Sequence, residues 1–242
     1  MSNGIATSIA LAGLAWLAAC IPQAVPERPV SETAAAPTKD SSTIRYQVDS
    51  ARGRVWWLTR DGVFLHDVTK SQRLTLVLPG WSWAGAPYSC LPDLALGPRG
   101  EAVITSDVVP TLWRIDPETL AVSVHPLALE TDADKDVGFS GIVYSSEQGA
   151  FFGVSGTHGT LWMIDRSLTR AQEIPLSAPV RQACRIGMAA RMVRQDSGRL
   201  CVRAPHKDWT IDLVPGQRAA RVREAPCRDL PWQLSQLSLK GE

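Results

Sequence analysis

The sequence lacks an apolar run long enough to span a membrane, and it has almost no net charge. Its longest apolar run, residues 9–20, holds about a dozen residues, whereas a transmembrane helix needs about 20. The 25 basic side chains balance 24 acidic ones, which leaves a formal net charge of +1. This balance gives no reason to expect nucleic acid as a partner.

The common sequence motifs of hydrolytic and redox catalysis are also missing. No Gly-x-Ser-x-Gly, HExxH or Cys-x-x-Cys pattern occurs, so the four histidines belong to none of these motifs. The loop "SGTHGT", residues 155–160, comes nearest to a reactive loop, but its glycines favour a hairpin turn. The sequence therefore indicates no catalytic residue and favours a protein that is not an enzyme.

The N-terminal apolar run reads as the hydrophobic region of a secretory signal. Its end, Leu17-Ala18-Ala19-Cys20, resembles the lipobox of bacterial lipoproteins, although residues 1–8 lack the usual Lys or Arg. The resemblance implies cleavage before Cys20, lipid chains on Cys20 and stable anchoring in the bilayer. Ile21 stands where Asp would favour the inner membrane, so the expected address is the outer membrane, facing the periplasm. The alternative is an apolar helix with a buried Cys20.

Four cysteines remain in the exported part of the chain. An even number in an oxidising compartment predicts two disulfides, and spacing alone leaves three connectivities open. Four reduced, buried thiols are the alternative. The four are Cys90, Cys184, Cys201 and Cys227.

An internal repeat governs the rest of the chain. The phrase "LWRIDPETL", residues 112–120, is echoed by "LWMIDRSLT", residues 161–169. Aromatic residues recur 49, 49 and 47 residues apart, and turn glycines recur 47, 49 and 49 residues apart. Two landmarks on one period indicate four structural units. The landmarks are Phe64, Trp113, Trp162 and Trp209, and Gly53, Gly100, Gly149 and Gly198.

Each unit contains four short runs of alternating polarity, separated by Gly, Pro and Asp. In the clearest unit the predicted strands are residues 93–97, 101–106, 111–115 and 120–126. Four strands per unit at this period predict an all-β fold, a small β-propeller of about four blades with four antiparallel strands each.

The blade sequences also resemble a known group of propellers. "PDLALGPRGEAVITSD" followed by "LWRIDPETLAV" resembles the blades of NHL, SMP-30 and YncE-like β-propellers, over residues 43–226. The resemblance implies the fold and no particular activity. Those families mostly have six or seven blades, whereas four units fit here. A closed four-bladed ring is preferred because closure removes exposed strand edges; a ring built from two chains and a divergent fifth element are the alternatives.

These features predict four segments. Residues 1–19 are the signal peptide, and residues 20–42 are the lipidated Cys20 followed by a flexible tether rich in Pro, Ala, Ser and Thr. Residues 43–228 form the propeller, and residues 229–242 form a C-terminal capping segment.

The repeated Trp and Asp of each unit are expected to be structural. A large aromatic side chain on an alternating strand packs between neighbouring blades, and a turn Asp accepts backbone N–H groups. The alternative is the quinone site that quinoprotein propellers place over a central Trp.

The functional residues are expected in the segments whose sequences differ from one unit to the next. The connections between successive units emerge on one face of a propeller, and they differ sharply: residues 80–90 are aromatic, 130–141 acidic and 177–187 basic. Scaffolding does not require this variety, so the face is predicted to bind a partner. The candidate binding residues are Trp81, Trp83, Tyr88, Asp132, Asp134, Asp136, Arg181 and Arg185.

The acidic connection resembles the start of a calcium-binding loop. Asp132, Asp134 and Asp136 alternate as the first ligands of an EF-hand do, but Val137 and Val143 replace its Gly and its bidentate Glu. No cofactor is therefore predicted, and a divalent cation at this loop is the alternative.

Together these features predict a membrane-anchored periplasmic lipoprotein that binds a protein or an envelope component. The alternative is a metal-dependent lactonase or lyase resembling SMP-30 or the streptogramin lyases.

Overall fold

A computed structural model describes residues 44–82, 90–130, 137–180, 191–194, 199–203, 207–213 and 219–227. Within these ranges the chain forms strands and no helix, arranged in four sheets. No helix among these residues is long and apolar enough to cross a membrane. The predicted signal peptide, tether and capping segment lie outside the described residues.

Each sheet is an antiparallel meander of four consecutive strands, as the repeat predicts. Blade 1 holds β1 (Arg45–Asp49), β2 (Arg54–Thr59), β3 (Gly62–Asp67) and β4 (Gln72–Leu76). Blade 2 holds β5 (Leu94–Leu96), β6 (Ala102–Thr105), β7 (Thr111–Ile115) and β8 (Val122–Pro126). After β9 (Ala128–Leu129), blade 3 holds β10 (Gly141–Ser145), β11 (Ala150–Ser155), β12 (Thr160–Ile164) and β13 (Arg170–Ile174). Blade 4 holds β14 (Arg191–Arg194), β15 (Leu200–Arg203), β16 (Asp208–Asp212) and β17 (Arg221–Glu224).

Two local features differ from the prediction. Strand β8 begins at Val122 instead of residue 120, because Leu120 has a φ of 60°, which is incompatible with extended backbone. The two-residue strand β9 was not predicted; it adds in parallel to β13 at the outer edge of blade 3. Strand β9 pairs with a strand that is distant in the sequence, so no local alternation of apolar and polar residues predicts it.

Apolar layers lie between successive blades. The inner strands β1, β5, β10 and β14 are neighbours in that order. One buried cluster joins blades 1 and 2, a second joins blades 2 and 3, and a third joins blades 3 and 4. Trp113, Trp162 and Trp209 belong to these clusters in turn, so each packs against the blade that precedes its own. The structural role predicted for the repeated Trp is confirmed.

The repeated Asp closes the turn after the third strand. Asp116 accepts the backbone N–H groups of Glu118 and Thr119, both at 2.9 Å. Asp165 accepts those of Thr169 at 2.8 Å and Arg170 at 2.7 Å. Burial would raise the pKa of Asp165, but these bonds, together with those from the Ser167 and Thr169 hydroxyls, lower it to about 2. The predicted role of the turn Asp is confirmed in both blades.

Candidate functional site

The topology places the variable segments of blades 1, 2 and 3 at one end of the molecule. In a four-stranded antiparallel meander, the turn between the second and third strands lies at the same end as the connection to the next blade. We call this end the connector face. Its described turns are residues 60–61, 106–110 and 156–159, and they differ in length and sequence. The turns at the opposite end also vary in length, but those between the first and second strands of blades 1, 2 and 3 each contain a glycine of positive φ, at Gly53, Gly100 and Gly149.

Of the eight candidate binding residues, the structure describes Trp81. This side chain is half-buried, packs against the cluster between blades 1 and 2, and donates its indole N–H to the Thr105 carbonyl at 3.2 Å. Trp81 therefore supports the root of its connection. Trp83, Tyr88, Asp132, Asp134, Asp136, Arg181 and Arg185 lie outside the described residues, as does Cys20.

Two of the described cysteines form a disulfide with each other. Cys201 in β15 is joined to Cys227, with their Cα atoms 5.8 Å apart. Cys90, at the end of the first connection, is disulfide-bonded as well, and its sulfur lies 3.8 Å from the Thr157 hydroxyl in the turn of blade 3. Cys184 lies outside the described residues. The end of the first connection therefore contacts the turn of blade 3 on the connector face.

A buried ion pair links three blades where their inner strands begin. Arg45 Nε lies 2.7 Å from Asp93 Oδ1, and both side chains are buried. The backbone N–H of Ile142, in the inner strand of blade 3, donates to Asp93 Oδ2 at 2.9 Å. Gln47 Nε2 adds a bond of 3.0 Å to the Leu94 carbonyl. Arg45 Nη2 also donates to Asp93 Oδ2 at 3.3 Å, whereas Arg45 Nε and Nη1 make no hydrogen bond. The Asp93 carboxylate is thus the paired and hydrogen-bonded group that ties the three inner strands together.

Hydroxyl side chains end the second strand of blades 1, 2 and 3. Thr59, Thr105 and Ser155 are each fully buried. The Thr105 hydroxyl accepts the Asp93 N–H at 2.8 Å, and the Ser140 hydroxyl accepts the Gly156 N–H at 3.0 Å. These bonds satisfy backbone groups that the sheets leave unpaired at the connector face.

Asp107 is a buried acid on the connector face whose pKa is raised. Its side chain is 6% exposed, and its Oδ2 has no hydrogen-bond partner. Burial raises the pKa of Asp107 to about 6, and a bond to its own backbone N–H opposes the shift. A Cβ on Gly138 would overlap the Asp107 backbone, and the Phe139 N–H donates to the Ser106 carbonyl at 2.7 Å. The root of the acidic connection thus packs directly on this turn.

The described residues contain no cluster of metal-ligating side chains. Among them, His, Cys, Asp and Glu form no group of three that could hold a metal ion.

Sequence reasoning did not identify Arg45, Asp93 or Asp107. One signal was available for the hydroxyls, since Thr59, Thr105 and Ser155 stand five or six residues after the turn glycines Gly53, Gly100 and Gly149. No comparable signal exists for the Arg45–Asp93 pair, because its partners belong to different blades.

Comparison with known proteins gives a fold and no family. No described protein family and no curated protein matches the chain. Solved structures do match it. An auxiliary nutrient binding protein from Bacteroides thetaiotaomicron has a TM-score of 0.54 at 11% identity, covering 76% of this chain and 42% of its own. Its counterpart from Bacteroides ovatus has a TM-score of 0.54 at 12% identity, covering 78% and 43%.

A streptogramin B lyase gives a similar match. Its TM-score is 0.53 at 16% identity, covering 80% of this chain and 57% of the lyase. The shared fold is a β-propeller. This chain spans about half the length of these three structures, and at such identities the likeness extends to the fold alone.

Proposed function

We propose that this protein is a binding module of the bacterial cell envelope that engages a protein or an envelope component through its connector face. One observation carries the proposal, namely the contrast between the two ends of the blades. Turns at one end repeat the same Asp-centred hydrogen bonds, in blade 2 at Asp116 and in blade 3 at Asp165. At the other end the turns and connections differ in every described blade, on a base fixed by Arg45 and Asp93.

A fixed base with variable loops is the usual design of a recognition surface. The segments that Trp81, Asp107 and Cys90 support are those with aromatic and acidic composition. Two of the propellers with the same fold are auxiliary nutrient binding proteins, which is in keeping with a binding role.

The binding proposal is tested by capture from envelopes. Chemically crosslinked envelopes would be purified through the wild type and through a variant with Asp132, Asp134 and Asp136 changed to Asn. A variant with Glu118 and Glu147, two exposed acids on turns at the opposite face, changed to Gln serves as control. We expect the first variant to lose a partner that the wild type and the control retain. Equal recovery by all three proteins would contradict the proposal.

Membrane attachment through Cys20 and an outer-membrane location facing the periplasm are parts of the same proposal. Their basis is the lipobox-like sequence before Cys20 and the tether-like composition of residues 21–42. Metabolic labelling with a radioactive fatty acid should mark the wild type and leave Cys20→Ser unlabelled. Equal labelling of the two proteins, or none, would refute the anchor.

The second candidate is a small-molecule lyase or lactonase. Its support is Asp107, whose pKa of about 6 suits a general acid or base, and the exposed His158 on the same face. A streptogramin B lyase also shares the fold. Turnover of a lactone or streptogramin by the wild type, lost in both Asp107→Asn and His158→Ala, would favour this candidate over the first.

A further inference from the structure

The outer edges of blades 3 and 4 each carry an extended segment from the blade before. After blade 2, strand β9 runs parallel to β13, and the Ala128 N–H donates to the Thr169 carbonyl at 2.9 Å. After blade 3, the same arrangement recurs in a shorter form, with a parallel bridge next to Ser177, whose N–H donates to the Ala220 carbonyl at 2.9 Å. The outer edge of a blade is therefore a place where this fold accepts a parallel strand.

Blade 2 lacks such a segment, and the sequence gives the reason. Pro79 stands 49 residues before Ala128, at the position of the donor, and proline has no N–H to donate. Gly80 follows with a φ of 69°, and the Trp81 N–H donates back to the Leu78 carbonyl at 3.1 Å. Pro and Gly at these positions form a type II turn, which directs the chain away from the edge of blade 2.

Strand β8 is left as an open edge. The Asp116 N–H donates to the Ala121 carbonyl at 3.0 Å. Residues that face the partner strand alternate in an antiparallel pair, so Val122 and Val124 turn their N–H and C=O groups outward. Throughout the described part of the chain, no residue bonds to these outward groups, and β8 is the last strand of its sheet. An edge with free N–H and C=O groups is a template for another strand.

Exposed apolar side chains flank this edge. Val124 is 44% exposed and Val77 is 71% exposed. Val77 lies two residues before Pro79, whose carbonyl accepts the Trp113 indole N–H at 2.8 Å, and Trp113 is opposite Val124 in the pair of β7 with β8. Val109, which is 41% exposed, lies in the turn before β7 on the connector face. A strand added at this edge would remove apolar surface from water next to the connector face.

We propose that the partner of the connector face adds an extended apolar segment to β8, in parallel, an inference that rests on the function proposed above. The N–H groups of the segment would donate to the Val122 and Val124 carbonyls, and the Val124 N–H would donate to the segment. The Ala128 segment on blade 3 shows the geometry. Main-chain bonds of this kind give affinity, and contacts with alternate side chains give specificity.

A protein partner fits this edge better than a second copy of the chain. Two copies that paired through β8 about a two-fold axis would place their β8 strands antiparallel. Both segments that the described blades accept at an outer edge are parallel to the strand that they join.

Photocrosslinking in the living cell, combined with variants of Val124, tests this proposal. A photoreactive amino acid would replace Val77, or Val68 as the matched control, since Val68 is 42% exposed and follows β3 at the opposite face. Val124→Pro removes the outward N–H and no bond to β7, and proline is tolerated at such edge positions. Val124→Thr keeps the N–H and serves as control. Val124→Lys, which places a charge on the edge and keeps the backbone, is a second test if the proline variant does not fold.

We expect Val77 to crosslink the partner that Val109 crosslinks, and Val68 to crosslink none. The yield from Val77 should fall about tenfold in Val124→Pro and in Val124→Lys, and should stay within about twofold in Val124→Thr. Circular dichroism of the purified variants reports whether each is folded.

The outcomes separate this inference from the proposed function. A partner captured from Val109 but not from Val77, or equal yields from Val77 in all folded variants, would overturn the strand addition and leave binding at the connector face intact. Failure of both positions to capture a partner would overturn both proposals. Crosslinks from Val77 to a second copy, or within the chain itself, would assign the edge to another occupant and overturn the inference as well.

Discussion

At the scale of single residues, the repeated aromatic position carries much of the packing between blades. Trp162 is fully buried and faces Phe139 edge-on, with ring centroids 6.5 Å apart. Its indole N–H donates to the Thr160 hydroxyl at 2.9 Å, so the polar atom is satisfied. A large side chain that fills an interface and leaves no unpaired group contributes strongly to stability.

Trp162→Ala should lower the free energy of unfolding by about 3–5 kcal/mol, because it leaves a large cavity between blades 2 and 3. Val77→Ala, at a side chain that is 71% exposed, is the control and should stay within about 0.5 kcal/mol of the wild type. Urea unfolding followed by circular dichroism measures both. Similar losses for the two variants would mean that the blades do not pack as described.

Asp107 should make the stability of the folded protein depend on pH. Its pKa of about 6 in the folded protein lies above the ordinary value of 3.8, so folding disfavours the ionised form. The wild type should therefore lose stability as the pH rises from about 4 through 6, while Asp107→Asn should not. At pH 8 the variant is expected to be more stable by about 1–2 kcal/mol, and below pH 4 the difference should vanish. A less stable variant at pH 8 would show that Asp107 has a partner in its ionised form.

At the scale of elements, the alternation of apolar and polar residues and the turn glycines were enough to predict the blades. Each blade is built from pairings between consecutive strands, so its pattern is local in the sequence. Strand β7 has the predicted bounds, and β5, β6 and β8 lie within theirs. The sequence could not predict β9 or the contact of Gly138 with Asp107. Both depend on how one blade packs against the next, and such contacts produce no repeating pattern of residues in the sequence.

Gly138→Ala tests that contact. Its Cβ would overlap the backbone of Asp107, which cannot move aside as a flexible side chain could. We expect a loss of about 2 kcal/mol or more in unfolding free energy, as for other overpacked sites. Gly149→Ala is the comparison, because its φ of 63° carries strain but its Cβ meets nothing within 4 Å; it should lose about 1 kcal/mol. Thermal unfolding would rank the two, and the reverse order would contradict the contact.

At the scale of the whole molecule, the blades pack on one another in the same direction along the chain. Every described Trp of the repeat packs against the preceding blade. The face of blade 1 that points away from blade 2 carries Tyr46, Trp57 and Phe64, and the face of blade 4 that points away from blade 3 carries charged side chains. Repeat proteins generally need polar outer faces on their terminal units. Blade 4 carries ion pairs, such as Arg199 with Asp212, and the Cys201–Cys227 disulfide.

The disulfide should contribute to the stability of this charged end. Cys201 and Cys227 are 26 residues apart, and a crosslink over such a loop typically stabilises by about 3 kcal/mol. The Cys201→Ala/Cys227→Ala variant should unfold at correspondingly lower urea concentration under oxidising conditions. With a reductant present, the two proteins should converge. A variant as stable as the wild type without reductant would argue against the link.

The sequence identified the connector face as the variable end of the propeller, and the structure adds what lies beneath the variable loops. Arg45, Asp93 and Ile142 come from three blades and are 48 and 49 residues apart in pairs. Their meeting follows from ring geometry and cannot be read from any local pattern. Composition does not distinguish the root of a loop, where Trp81 lies, from its tip, and the role of Trp81 in binding stays a prediction.

Site-specific photocrosslinking in the living cell tests the central claim, that partners bind the connector face, most directly. A photoreactive amino acid would replace Thr157 or Val109 on the connector face, and Thr119 or Gln148 on the opposite face; all four side chains are exposed. The account predicts one or more discrete crosslinked partners from Thr157 and Val109 and none from Thr119 and Gln148. Crosslinks confined to the opposite face, or of equal yield on both, would contradict it.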